Sequence, residues 1–161
     1  RPEVVLALHA CGPASDAVVD VALALRPEHL FLVPCCTAHS VRASPGAMAL
    51  AEHLGVPTQP AVRRRFVQAI VDTERTLRLE AGGYQVSVGP LVPSTVTPHN
   101  LVWQARHVGS LRRQQRAQER LNQLFQDLPS HRSPTATTAR VQADPEGYQS
   151  LLSKMNARPS S

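Results

Sequence analysis

The fold is decided by two short apolar stretches that each run into reactive side chains, LALHACG at residues 6–12 and FLVPCCTAH at residues 31–39. Together they contain all three cysteines and two of the seven histidines of the chain. Near-continuous apolar runs are typical of strands that are buried on both faces of a parallel sheet. Because ligands bind at the carboxyl ends of such strands, we expect these side chains to face one crevice.

Helical patterns alternate with these two strands. The first strand covers residues 3–9, and the helix that follows it is predicted to have Ser15 as its N-cap. The second strand covers residues 29–33, and a helix over residues 44–55 follows it. The order strand, helix, strand, helix predicts that the two strands pair in parallel.

The next segment predicts a long helix and then a hairpin. Apolar residues recur at helical spacing over residues 62–81. Two runs rich in valine and leucine follow at residues 84–92 and 100–108, and a loop of seven residues joins them. A parallel crossover needs about a dozen residues or more, so these strands are predicted to be antiparallel and the sheet to be mixed.

We expect four parts in the chain. Residues 1–109 hold the elements above, and residues 110–128 form a basic, glutamine-rich amphipathic helix with Leu111 on its apolar face. Residues 129–146 have the composition of a flexible linker, and residues 147–161 form a short helix and tail. Because the chain begins without methionine and enters a strand within three residues, it is predicted to be a fragment.

The composition is typical of a soluble, cytoplasmic protein. Hydrophobic residues make up 42% of the 161 residues, which is enough for one ordinary core. No apolar run approaches the roughly 20 residues that span a bilayer, so no membrane partner is expected. No secretory signal opens the chain. Three cysteines, an odd number, indicate free thiols in a reducing compartment rather than a disulfide framework.

The net charge of +5 has two explanations. Sixteen of the 17 basic residues are arginine, a bias that GC-rich coding alone produces. The other explanation is an anionic partner such as nucleic acid. Three successive arginines, Arg63, Arg64 and Arg65, favour that partner because they oppose the dipole near a helix start, although a solvated arginine face is the alternative.

The sulfur and imidazole groups are open to several interpretations. Cys11, Cys35 and Cys36 can pack as small apolar side chains. With His39 they also have the ligand types of a zinc site, although the paired Cys-x-x-Cys spacing of structural zinc sites and of redox couples is missing. His9 is a candidate general base or simply a polar strand end.

Three charged residues have structural explanations. Asp16 near a helix start interacts favourably with the helix dipole. Asp72 and Arg75 are three residues apart on a helix and are predicted to form a surface ion pair. The sequence contains no Gly-x-Gly-x-x-Gly, Walker or Gly-x-Ser-x-Gly motif, so kinase, P-loop and α/β-hydrolase functions lack their sites.

The ordered motifs over about residues 3–108 resemble a branch of the S-adenosylmethionine-dependent methyltransferases with a Rossmann-like fold. This branch includes bacterial proteins of undefined substrate and relatives of the tRNA ribose 2′-O-methyltransferases. The residues that carry the resemblance are Leu8-His9-Ala10-Cys11-Gly12 with Ser15-Asp16, Val33-Pro34-Cys35-Cys36 with His39, Arg65-Phe66, Asp72-x-x-Arg75, Leu79-Glu80-Ala81-x-Gly83-Tyr84 and Thr97-Pro98-His99-Asn100-Leu101.

The resemblance implies methyl transfer from S-adenosylmethionine, with RNA as the substrate class. Leu8, His9 and Ala10 would border the cofactor. His99 stands where the family often has lysine. The implied catalytic or acceptor-side residues are His9, Cys11, Cys35, Cys36 and His39, and the implied substrate-binding residues are Arg63, Arg64, Arg65, Thr97 and Asn100. No metal is implied.

The resemblance also implies an α/β fold in which this chain supplies half of a sheet. The family orders its strands 3-2-1-4-5-7-6 with strand 7 antiparallel, and this chain would supply strands 4, 5, 7 and 6. The N-terminal half with the glycine-rich cofactor loop would then be a missing partner, and strand 4 would be an aggregation-prone edge. The alternatives are a non-catalytic RNA- or protein-interaction module and a zinc-stabilised structural fragment.

Overall fold

The computed structural model describes residues 2–34, 40–93, 95–97 and 100–129. Strands and helices alternate at first, and a helix, a hairpin and a final helix follow. The elements are β1 (Val4–Leu8), α1 (Pro13–Leu25), β2 (His29–Val33), α2 (Ser44–His53), α3 (Pro60–Ala81), β3 (Tyr84–Pro90), β4 (Leu101–His107) and α4 (Leu111–Asp127).

The four strands form one mixed sheet in the order β1-β2-β4-β3. β1 and β2 are parallel, and β4 is antiparallel to both of its neighbours. The predicted parallel pair and the predicted hairpin are therefore confirmed. Because β2 and β3 are both antiparallel to β4, they run in the same direction, so β1, β2 and β3 all end at one edge of the sheet.

Helix α3 is the longest of the described helices, and it connects α2 to β3. Its 22 residues correspond to about 33 Å. It leads into β3 through Gly82 and Gly83, so α3 ends where β1, β2 and β3 begin. The first turns of α3 therefore lie toward the edge where these strands end.

The core lies between one face of the sheet and the helices α1 and α3. Leu30 and Leu32 of β2 and Trp103 of β4 are almost fully buried there. The Trp103 indole donates to the Thr76 hydroxyl at 3.0 Å. The Tyr84 hydroxyl lies 3.1 and 3.0 Å from the carbonyl oxygens of Ala22 and Pro27 and thus links β3 to the end of α1.

The other face of β1 is open. Val4, Leu6 and Leu8 are 46%, 70% and 70% exposed. The prediction that β1 is buried on both faces is therefore wrong. The reason is that α1 and α3 cover a single face of the sheet, α2 and α4 pack on α3, and β1 is the end strand.

The helices differ from the sequence prediction in three places, two of them boundaries and one the buried face of α4. Ser15 is not the N-cap, because α1 begins at Pro13 and Gly12 is the cap residue with a positive φ of 53°. α3 begins at Pro60, two residues before the predicted start. Leu111 is 73% exposed, because α4 buries Ala117 and Leu121 against α3 instead. The predicted linker after residue 129 and the predicted last helix lie outside the described residues.

We expect the isolated chain to self-associate through β1, because an apolar edge strand exposes unpaired backbone groups. Leu6→Lys places a charge on this edge and should shift the chain toward monomer in sedimentation velocity. Leu54→Lys is the matched control, since Leu54 is 60% exposed at the end of α2 and the substitution adds the same charge. A wild-type chain that is monomeric and melts cooperatively at high concentration would contradict this prediction.

Candidate functional site

The carboxyl ends of β1 and β2 lie side by side. Leu8 pairs with Val33 in register, and the Ala10 amide donates to the Val33 carbonyl at 3.3 Å. The segments that follow both strands therefore start from the same edge of the sheet, as the sequence predicts. Leu8 and His9 are exposed there, whereas Ala10 is 8% exposed.

His9 has an unusual backbone conformation. Its φ is +54°, in the left-handed region that residues other than glycine rarely adopt. Such a conformation costs about 1–3 kcal/mol and clusters at functional sites. The strained turn directly after β1 exposes the imidazole at the edge where β1 and β2 end.

The turn after His9 is fixed by the start of α1. The Ser15 hydroxyl donates to the Ala10 carbonyl. The Ala14 amide donates to the Cys11 carbonyl at 3.1 Å. These two bonds hold the backbone between β1 and α1 in one conformation, which explains why Ser15 is buried inside the helix rather than serving as its cap.

Cys11 is disulfide-bonded. The free thiol that the odd cysteine count predicts is therefore wrong at this position, because a sulfur in a disulfide has no proton to lose. A disulfide also cannot serve as a thiolate nucleophile. Cys35, Cys36 and His39, the other predicted catalytic residues, lie outside the described residues.

A buried ion pair anchors this edge of the sheet. The Asp16 carboxylate accepts a hydrogen bond from Nε of Arg75 at 3.1 Å with one oxygen and from the Arg42 amide at 2.9 Å with the other. Arg75 is fully buried and Asp16 is 7% exposed. The carboxylate thus connects α1, α3 and the segment that leads into α2.

The predicted ion pair of Asp72 and Arg75 is confirmed, but its predicted location at the surface is wrong. The two side chains are 3.7 Å apart, but Arg75 is fully buried and the Asp72 side chain is only 17% exposed. Sequence spacing places the two residues on one side of α3 but does not show that this side faces α1. Arg75 makes its shorter contact with Asp16, which is 59 positions away in the sequence. No local pattern in the sequence predicts that these two residues pair.

More charged groups surround this pair. Arg78 binds Asp20 of α1, and its Nε lies 3.5 Å from Oε1 of the fully buried Glu74. Burial raises the pKa of Glu74. Burial also raises the pKa of Asp72 to about 6, although a hydrogen bond from Gln68 and the nearby Arg75 guanidinium lower it. Burial thus disfavours the negative charge of both carboxylates, Asp72 and Glu74.

The three predicted substrate arginines differ in their surroundings. The Arg63 guanidinium donates to the Val56 carbonyl at 2.9 Å and lies 3.6 Å from the Glu52 carboxylate. It thereby joins α3 to the end of α2. Arg64 and Arg65 are exposed, and they lie in the first turns of α3, toward the edge where β1 and β2 end.

The loop between β3 and β4 contributes two predicted substrate residues. Asn100 is 9% exposed, and its side-chain amide donates to the Val92 carbonyl at 2.8 Å. The backbone carbonyl of Asn100 accepts a hydrogen bond from the Leu91 amide at 2.6 Å. Asn100 therefore closes the loop structurally, while Thr97 is half-buried on it. His99 lies outside the described residues.

Two further properties concern metals and membranes. Within residues 2–34, 40–93, 95–97 and 100–129, no three histidine, cysteine or acidic side chains form a cluster that can hold a metal ion. Three of the four residues considered for zinc are outside these ranges. In the same part of the chain, no helix is both long and apolar enough to cross a bilayer.

Asp16→Asn is expected to lower the free energy of unfolding by about 3–5 kcal/mol, because it leaves the buried Arg75 guanidinium without its closest counter-charge. Urea unfolding can be followed with the single tryptophan, Trp103. Glu28→Gln is the control, since Glu28 is 68% exposed and its contact should contribute less than about 1 kcal/mol. Adding Arg75→Met to Asp16→Asn should recover part of the loss. No recovery would contradict the assignment.

The raised pKa values predict that the protein loses stability as the pH rises from about 4 to about 6. In this range the unfolded chain has released the Asp72 proton, whose ordinary pKa is 3.8, while the folded chain still holds it. Glu74 acts in the same direction. Asp72→Asn should flatten the dependence of unfolding free energy on pH and raise stability at pH 7, by at most about 3 kcal/mol. An unchanged slope would contradict the pKa of Asp72.

Comparison with known families gives one match at this edge of the sheet. A family model described as a methyltransferase domain matches residues 1–43. No curated protein and no solved structure matches the chain. The matched segment contains β1, α1, β2 and the residues that lead into α2, and the mixed α/β sheet is compatible with a Rossmann-like fold. The match supports a methyltransferase domain, and thus methyl transfer in general.

Proposed function

We propose that this chain is the acceptor-side part of an S-adenosylmethionine-dependent methyltransferase that modifies RNA. The observation that carries the proposal is the position of the family match. Residues 1–43 contain the ends of β1 and β2, the strained His9 and the anchoring Asp16. In open α/β sheets this edge is where ligands bind.

The sheet supports a specific place in the methyltransferase fold. We assign β1, β2, β4 and β3 to strands 4, 5, 7 and 6 of that fold, which makes this chain its C-terminal half. The assignment is supported by the observed strand order and by the antiparallel direction of β4 relative to both neighbours.

The residues at the edge fit one wall of a cofactor site. The exposed Leu8 offers apolar surface, the His9 imidazole offers a polar group, and the small Ala10 leaves room for close approach. Asp16 is unsuited to bind ribose hydroxyls, because Arg75 and Arg42 occupy its carboxylate. When bound, S-adenosylmethionine supplies a methyl group on a sulfonium. The described residues hold no second wall for it, so no step of the transfer is assigned to them.

The second wall is proposed to come from a segment that pairs with β1. The free edge of β1 has backbone groups available for another strand, and the exposed Val4 and Leu6 offer apolar surface beside it. A segment that pairs with this edge and covers the two side chains would remove the exposed apolar edge that favours aggregation. This segment corresponds to strands 1 to 3 and the glycine-rich loop of the methyltransferase fold.

The acceptor is proposed to be RNA on the basis of charge. Arg64 and Arg65 are exposed in the first turns of α3, on the side toward which β1, β2 and β3 run. Arginine binds phosphate through two parallel hydrogen bonds, and α3 has no acidic residue in its first turn. Thr97, on the loop between β3 and β4, is a second candidate contact with the acceptor.

The test is calorimetric titration of S-adenosylmethionine into the chain extended upstream in its own reading frame. We expect saturable binding, and we expect His9→Ala to weaken it about 5–10-fold, the effect of one lost hydrogen bond. His53→Ala is the matched control, because His53 is exposed at the end of α2. No binding by the extended chain, or equal weakening by both substitutions, would refute the proposed cofactor site.

A further inference from the structure

A basic groove runs between α4 and the end of α3. Its volume is about 340 Å³. Helix α4 forms most of its wall, and Glu80 of α3 closes one side. The lining residues are Glu80, Ser110, Arg112, Arg113, Arg116, Ala117 and Arg120. Four of the seven lining residues are arginine and one is acidic, so the groove carries a net charge of +3 (four positive, one negative).

The one acidic side chain is already neutralised. The Glu80 carboxylate lies 3.3 Å from Nη1 of Arg113. The other three arginines, Arg112, Arg116 and Arg120, are exposed and form no ion pair with any side chain in the described part of the molecule. These three, called the groove arginines below, are left to attract an external anion.

The groove arginines are evenly spaced along one side of α4. They follow each other at intervals of four residues, which corresponds to about 6 Å along the axis. The first turn of α4 contains no acidic residue, and the Ser110 side chain does not cap it. The positive end of the helix dipole therefore adds to the charge of the arginines.

The wall that carries these arginines is held in place by packing. Ala117 and Leu121 of α4 are buried against Leu77 of α3, with Leu124 and Phe125 packed beside them. The Arg113 and Glu80 pair joins the same two helices. The groove therefore has a defined shape before any ligand binds, which lowers the entropic cost of binding.

From this arrangement we infer that the groove binds the phosphate backbone of a nucleic acid strand. A row of guanidinium groups matches a ligand with repeated phosphates better than a single anion. None of the described residues that line the groove is aromatic, so they offer no ring for base stacking and contact the backbone without selecting sequence.

This binding site is separate from the edge proposed for methyl transfer. Glu80 lies near the end of α3, and α3 ends where β1, β2 and β3 begin. Glu80 follows Arg75, whose ion pair with Asp16 anchors that edge, by five residues, which corresponds to about 7.5 Å along the helix axis. The groove and the edge thus use different residues, and binding in the groove does not depend on a methyl donor.

The experiment measures fluorescence anisotropy of a labelled 20-nucleotide single-stranded RNA with the full chain, without S-adenosylmethionine, over a range of NaCl concentrations. We expect an affinity that falls steeply with salt. The triple variant R112Q/R116Q/R120Q should bind roughly 100-fold more weakly at 0.1 M salt, and its log-log salt slope should be shallower by about 2, since each neutralised phosphate contributes about 0.7.

The matched control is R132Q/R140Q/R158Q, which removes the same charge from residues that lie outside the described part of the chain. It should retain most of the affinity and the slope. Circular dichroism and melting of both triple variants should match the wild type, because the groove arginines are exposed. A single-stranded DNA of the same sequence should bind similarly if only the backbone is read.

Four results would overturn the inference. They are absence of RNA binding, binding that does not depend on salt, equal loss of affinity in the two triple variants, and displacement of RNA by phosphatidylserine vesicles or by polyglutamate at lower charge concentration than by unlabelled RNA. Equal loss would show that net charge matters rather than the groove. None of these results depends on whether the chain binds S-adenosylmethionine, so the two proposals fail separately.

Discussion

The arrangement of the candidate edge depends on one buried ion pair, between Asp16 of α1 and Arg75 of α3. A fully buried guanidinium is costly to desolvate, so it persists only where charged and polar groups surround it. Asp16 supplies the nearest charge, and its second oxygen accepts from the Arg42 amide. Three segments that are distant in sequence thereby have a fixed relative position. The turn that exposes His9 lies directly before one of them, and Ser15 holds that turn.

The same fold leaves one part of its apolar surface uncovered. The sheet places its core face against α1 and α3, while β1 presents leucines on the other face and a free backbone edge. An end strand of this kind favours association with another strand. In the function proposed above, a further segment pairs with the open edge of β1, extends the sheet and completes the crevice. The basic groove lies between α4 and the end of α3 and adds a second set of exposed arginines to Arg64 and Arg65.

Local patterns in the sequence predict the elements and the relative directions of the strands well. The alternation of apolar runs with helical patterns gives the parallel pair β1 and β2, and the short loop gives the hairpin β3 and β4. Burial depends on what packs against each element, and this is why the exposure of Leu6 and the complete burial of Arg75 could not be predicted. The carboxyl-edge position of His9 follows from the end of the strand, whereas its positive φ and the partner of Asp16 depend on contacts between elements. An odd cysteine count predicts free thiols, yet it does not show that Cys11 is disulfide-bonded.

The proposed function requires that the end of β1 forms one wall of a methyl-donor site. The most direct measurement is ultraviolet cross-linking of radiolabelled S-adenosylmethionine to the upstream-extended chain, followed by mass spectrometric mapping of the labelled peptide. We expect the label within residues 8–11, and we expect S-adenosylhomocysteine to displace it. Label found only on α4, only on residues 4–6 of the open face of β1, or nowhere in the chain would contradict this expectation.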